Sequence, residues 1–247
     1  MKIAVISDIH GNMEAIEAVM ADIESKECDK LFVLGDYAMA GPEPSDAVRF
    51  FMNKSNDPNV TMIQGNTDLM VSDFSLERYN ILKAKAPVMA EALQDDTKLL
   101  SAQEKIFLKT LPIQKEVYVD GIKILLVHGS PRKNNEDILP DTPMSEVEEM
   151  LKGVDADIVL CGHTHIPCGF QTSKKQTVVN AGSIGRPFTQ EPKSCYLTIT
   201  IENGKYVLEH FFVEYDKQSA SNKLKNRNFW GADKLAETLL DPKQRHF

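Results

Sequence analysis

The sequence predicts an α/β protein: a four-layer α/β/β/α sandwich in which two mixed sheets face each other and helices cover the outer sides. Three observations carry this. Short β-rich runs alternate with helical stretches through the first two-thirds of the chain. The runs Leu31-Phe32-Val33-Leu34 and Ile158-Val159-Leu160 are apolar without interruption, as strands buried on both faces require. Farther on, Asp120-Gly121 and Asn203-Gly204 sit between paired strand-like runs as hairpin turns.

Taken in order, Ile3 to Ser7 reads as a strand, and Met13 to Ile23 as a helix with Ile16, Val19, Met20 and Ile23 at helical spacing. Lys30 to Leu34 is the second strand, Pro44 to Met52 a helix opened near a proline, and Val60 to Ile63 the third strand. Asp8 and Asp36 are 28 residues apart, and Asp36 and Asn66 are 30 apart. Each step fits one βαβ unit with a right-handed crossover. Residues 69–110 read as helical and end in a Leu100-to-Leu111 stretch where Ser101 and Glu104 form a capping box. Glu116 to Val119 and Ile122 to Val127 form a hairpin, and Thr177 to Asn180, Cys195 to Ile201 and Lys205 to Val213 supply further strands. The tail from Ser219 is again helical. With no linker or repeat, the chain reads as one domain over 1–247, in which the helical insertion 69–110 has room to cap a site.

The composition bounds the function. At 247 residues, 42% hydrophobic and 26% charged, the chain is an ordinary soluble protein with a sizeable core. A net charge of −8 argues against a nucleic-acid polymer held on a broad basic surface. It leaves room for a small phosphate substrate, because metal charge can dominate inside one pocket. Cys28, Cys161, Cys168 and Cys195 lack CxxC spacing and read as reduced, buried thiols. No run is long enough to span a bilayer, and the apolar stretch at Met1 to Ile6 is too short for a signal peptide. A cytoplasmic protein with no membrane partner is expected. A homo-oligomer is compatible with all of this.

Five short clusters concentrate the chemistry: Ser7-Asp8-Ile9-His10-Gly11-Asn12, Gly35-Asp36, Gly65-Asn66-Thr67-Asp68, Val127-His128-Gly129 and Gly162-His163-Thr164-His165. They hold four of the six histidines, and each sits at or just past a predicted strand end. Ligand sites of parallel α/β sheets lie there. A lone Asp after a strand is ordinarily a cap and a lone buried His a core residue. Several strand ends that each carry a ligand-type residue, most beside a glycine, point instead to two metal ions and phosphoester chemistry.

In order and spacing, Asp8-x-His10, Gly35-Asp36, Gly65-Asn66-x-Asp68, Val127-His128-Gly129 and Gly162-His163-x-His165 resemble the motifs of calcineurin-like metallophosphoesterases over residues 1–190. The segment from Asn180 to Pro187 resembles a feature of that family's small bacterial and archaeal phosphodiesterase branch. The resemblance implies a first metal on Asp8, His10 and His165, a second on Asn66, His128 and His163, and Asp36 bridging the two. Two divalent ions are implied. Manganese is the expectation, and iron, zinc, nickel or magnesium are alternatives for such mixed ligands. The implied reaction is hydrolysis by a metal-activated hydroxide in line with the leaving oxygen.

Thr67 and Asp68 are the candidate catalytic residues. Many family members carry His where this chain has Thr67, and a hydroxyl is a poor general acid at neutral pH. The substitution favours substrates whose leaving group is already stable as an anion. The expected activity is therefore a phosphodiesterase acting on a small organic or nucleotide phosphate. A dinucleoside polyphosphate hydrolase is the alternative, and a non-catalytic protein-binding scaffold a third reading. Asn12, Arg132 and Arg186 are the candidate substrate contacts, and Tyr37 is read as packing rather than stacking on a base.

Overall fold

The computed structural model describes residues 1–242, so the last five residues of the predicted 1–247 domain lie outside the described residues. In chain order the elements are β1 (Lys2–Ile6), α1 (Met13–Ser25), β2 (Lys30–Val33), α2 (Pro44–Lys54) and β3 (Val60–Met62), followed by four helices. These are α3 (Asn66–Ser72), α4 (Leu76–Lys85), α5 (Pro87–Leu99) and α6 (Ala102–Thr110). Next come β4 (Gln114–Val119), β5 (Ile122–Val127), α7 (Met144–Met150), β6 (Ile158–Cys161), β7 (Cys168–Gln171) and β8 (Thr177–Asn180). The chain closes with β9 (Ser194–Glu202), β10 (Lys205–Val213), α8 (Lys217–Lys225) and α9 (Ala232–Leu240).

The strands form two five-stranded sheets, ordered β10-β9-β1-β2-β3 and β4-β5-β6-β8-β7. In the first, β1, β2 and β3 run parallel and β9 pairs antiparallel with β1. In the second, β5, β6 and β8 run parallel, and β4 and β7 are antiparallel edges. Strand periodicity sorts the side chains between layers. β1 sends Ile3 and Val5 between the sheets and Ala4 and Ile6 outward under the helices. β5 sends Ile122, Ile124 and Leu126 between the sheets, while Leu125 and Val127 join Val147 and Met150 of α7 on the far side. The predicted four layers are therefore present, with α7 on one outer face and the other helices on the opposite one.

Two elements escape the sequence reading. β7, Cys168-Gly169-Phe170-Gln171, is a short edge strand with a central glycine and weak alternation. α7 is only seven residues long, too short to show a helical period. The 69–110 region is helical as expected, but its first helix starts earlier, at Asn66. Ser101 caps α6 with Glu104 in the predicted box. No helix of the described residues is long and apolar enough to cross a membrane.

Candidate metal centre

Because β1–β3 and β5, β6, β8 are parallel sets, their carboxyl ends bring the five clusters to one edge between the sheets. Asp8 and His10 follow β1, Asp36 follows β2, and Asn66 follows β3 as the first residue of α3. His128 directly follows β5, and His163 and His165 follow β6. Five of these seven, Asp8, His10, Asp36, His163 and His165, have left-handed backbones with φ between 46° and 67°. That conformation is unfavourable for side chains bearing a Cβ and accumulates at functional sites. Glycine is needed where loops touch ligands: a Cβ on Gly65 would lie 2.0 Å from Asp36 Oδ1, and one on Gly162 would lie 2.5 Å from Asp8 Oδ2.

Three imidazoles are oriented alike. Nδ1 of His10, His128 and His165 bonds to the carbonyls of Met39 (2.8 Å), Leu34 (2.7 Å) and Arg186 (2.7 Å). Nδ1 must then donate, which leaves the Nε2 of each ring facing the centre and offering a lone pair whenever the ring is neutral. His10 Nε2 and His165 Nε2 are 3.0 Å apart. Asp8 Oδ1 lies 3.2 Å from His165 Nε2 and 3.8 Å from both His10 and His128. Asp36 Oδ2 sits between His128 (3.3 Å) and His10 (3.8 Å), the position a bridging carboxylate needs. The ligand atoms of Asp8, His10 and His165, and those of Asp8, Asp36 and His128, each fall within 4.8 Å of one another.

Lone pairs that converge on carboxylates at this depth demand positive charge. Asp8 Oδ1, Asn66 Oδ1 and His128 Nε2 are buried and make no hydrogen bond. Titration of the cluster reflects the same demand. Burial, then the neighbouring His165, holds His10 down to about 4. His128 is raised to about 10 against burial, by Asp36 and Asp8. Asp8 and Asp36 are held low against burial, Asp8 chiefly by His165 and His128 and Asp36 chiefly by His128. Divalent cations fit this donor set, and the unpartnered atoms are the ones they would engage.

The remaining predicted residues divide. His163 donates its backbone N–H to Asp8 Oδ2 (2.9 Å), and its ring lies 5.3 Å from that of His128. Its Nε2 is 3.3 Å from the exposed Asp137, so it stands apart from the two tight groups. Asp68 is a scaffold acid: its carboxylate accepts the N–H groups of Asp36, Tyr37 and Gly65, all at 2.8 Å. Burial and the Asp36 charge push it up to about 7 against those donors. The Thr67 hydroxyl donates to the Ala38 carbonyl at 3.3 Å, and its N–H donates to Asp36 Oδ1. Asn12 caps α1 through Oδ1 and donates Nδ2 to Gly185 O, so both ends of its amide serve the fold. Arg132 is half-exposed and forks onto Glu136. Arg186 is buried, holds His165 through its backbone carbonyl, and directs its guanidinium at Met89 and Thr238. Tyr37 packs edge-on against Phe51 and Phe107 as expected.

Other residues at the site were not singled out in the sequence. The Ser183 hydroxyl donates to Asp8 O, and Asn180 Nδ2 donates to Gly162 O and Thr164 Oγ1, so the segment after β8 clamps two ligand loops. Both lie in the Asn180–Pro187 stretch, which was the available signal. Phe188 stacks on His165 with ring centroids 4.6 Å apart. Met39 acts through a backbone carbonyl, which leaves no mark on a sequence.

The family model of the calcineurin-like phosphoesterase superfamily domain matches residues 1–204. The chain belongs to this superfamily. As a calcineurin-like phosphoesterase it is a metal-dependent phosphoester hydrolase. An uncharacterized protein of Methanocaldococcus jannaschii is 30% identical over 245 residues, covering 91% of this chain and 93% of that relative. The fold is similar to that of a hypothetical protein from Pyrococcus horikoshii OT3, with a TM-score of 0.85 at 24% identity over 97% of both chains. It is also similar to a metallophosphoesterase from Sphaerobacter thermophilus, with a TM-score of 0.76 at 23% identity over 97% of this chain and 98% of that one.

Proposed function

We propose that this phosphoesterase is a binuclear phosphodiesterase for small organic or nucleotide phosphates with good leaving groups. Asp8, His10 and His165 would hold one cation and Asn66, His128 and His163 the other, with Asp36 shared between the two sets. The position of Asp36 Oδ2 between His10 and His128 supports the bridge. The unpartnered, buried Asn66 Oδ1 supports its place in the second set. Imidazole, carboxylate and amide donors suit manganese, the proposed metal. When bound, two such ions supply Lewis-acid stabilisation of phosphoryl oxygens and an acidified water.

The single observation that carries the substrate reading is the Thr67 hydroxyl. It is a non-titrating group already turned to the Ala38 carbonyl, so it offers no proton to a leaving oxygen. The chain's own groups bind and orient, and leaving-group stability comes from the substrate. Arg186 lies close enough to the ligands that its charge lowers His10, and it contacts Met89 of α5. This supports the helical insertion as a wall beside the site. The test is a series of aryl phosphodiesters of graded leaving-group pKa, assayed after loading with manganese. A steep fall in kcat/KM as that pKa rises agrees with the reading, and a flat series contradicts it.

A further inference from the structure

We propose that Arg227 and Asp96 are positioning residues for His10, clamping Met39-Ala40-Gly41 so that the Met39 carbonyl is aimed at His10 Nδ1. The metal consequence rests on the reading of His10 as a ligand; the positioning itself does not.

The segment needs holding. Met39 and Ala40 are consecutive left-handed residues, with φ of 77° and 61°, and neither is glycine. An isolated chain leaves that conformation readily, so surrounding contacts must over-determine it. Backbone bonds flank it: His10 N–H reaches Asp36 O and Gly11 N–H reaches Tyr37 O before it, and Glu43 N–H reaches Gly11 O after it.

Arg227 holds the segment itself, at Gly41. It lies in the turn between α8 and α9, past the residues matched by the family model. Its Nη1 donates to Gly41 O at 2.6 Å. The guanidinium is fixed from behind by Asp95 Oδ2, 3.1 Å from Nε, and by an ion pair to Asp96 Oδ1. The Arg227 side chain is 6% exposed and that of Asp96 fully buried. The Asp96 carboxylate also feels the Met39 N–H nearby, without a hydrogen bond between them. The Met39 carbonyl, two residues before the gripped Gly41 carbonyl, takes the His10 Nδ1–H at 2.8 Å. Lys223 of α8 adds a second grip, bonding Glu43, whose N–H donates to Gly11 O.

A buried ion cluster is a poor way to gain stability alone, since desolvation offsets the attraction. Its geometric effect is specific: it sets which nitrogen of His10 carries the proton and so leaves Nε2 as the donor atom. His128 and His165 depend on other carbonyls, those of Leu34 and Arg186, and are not reached by the clamp.

The test compares wild-type, Arg227→Met, Arg227→Lys and Asp96→Asn proteins. In the metal-free state, nitrogen-15 NMR reads the tautomer of each ring. Arg227→Met should mix or invert the His10 tautomer while His128 and His165 stay Nδ1-protonated, and Arg227→Lys should restore it partly. Manganese titration should show a roughly 10–100-fold loss of affinity for one of two sites in Arg227→Met. Unchanged His10 signals with two wild-type affinities overturn the proposal. If Arg227→Met unfolds, Asp96→Asn must give the His10-selective change; loss of all three ring signatures together in Asp96→Asn also overturns it. A selective tautomer change in a protein that binds no manganese leaves the positioning standing and removes the reading of His10 as a ligand.

Discussion

The Nε2 atoms of His10 and His165 face each other at 3.0 Å, although both rings have committed Nδ1–H to backbone carbonyls. Two neutral imidazoles held this way oppose lone pair to lone pair, and a cation between them removes the conflict. Loading the metal-free protein with manganese at about 100 times its Kd is expected to raise Tm by roughly 5–10 °C. Scanning calorimetry of His165→Ala should show a smaller rise, because only one set of ligands remains complete.

Thr67 offers a gain-of-function test. Thr67→His places a titrating ring at a buried position beside Asp36. It is expected to accelerate diesters with poor leaving groups by about tenfold or more and to change good ones little, as restored general-acid catalysis would. Equal effects at both ends of the series would show that the residue acts by packing.

Gly162 tests the crowding of the centre. A Cβ there would lie 1.9 Å from Ser7 Oγ and 2.5 Å from Asp8 Oδ2. Gly162→Ala is expected to cost about 1–3 kcal/mol in urea unfolding, as overpacking does, and to weaken metal binding through the displaced Asp8. Wild-type behaviour in both measurements would mean that the loop relaxes freely.

The two buried thiols, Cys161 and Cys195, give a pH test; Cys28 and Cys168 are only partly buried, against the expectation. Burial raises Cys161 well above its ordinary value and Cys195 to about 12. In the folded protein they stay protonated where the unfolded chain would ionise, so the unfolded state binds fewer protons and stability falls as pH rises past about 9. Thiol reagents at pH 8 should label Cys161 and Cys195 only after unfolding. Rapid labelling of the native protein would contradict their burial.

What was legible followed the physics of each feature. The uninterrupted run at Leu31–Leu34 and the turn at Asp120-Gly121 encode local structure directly, so β2 and the β4–β5 hairpin were readable. The candidate ligand clusters were readable as clusters because strand ends concentrate scarce residue types. Asp68 looked catalytic because the sequence shows an acid inside a ligand motif but not the three backbone N–H groups that occupy it. Asn12 looked available for the same reason, with its amide in fact spent on Ala15 and Gly185. Arg227 was invisible: it meets Gly41 across a separation of 186 residues, through a carbonyl that any residue type carries.

The most direct measurement is the metal content of manganese-loaded wild-type and Asp36→Asn proteins after desalting. Asp36 Oδ2 lies between His10 and His128, so one altered oxygen should disturb both sites. The expected result is two manganese per wild-type chain and fewer than one per Asp36→Asn chain, with both proteins folded. Two tightly held manganese ions in Asp36→Asn would contradict the bridged centre.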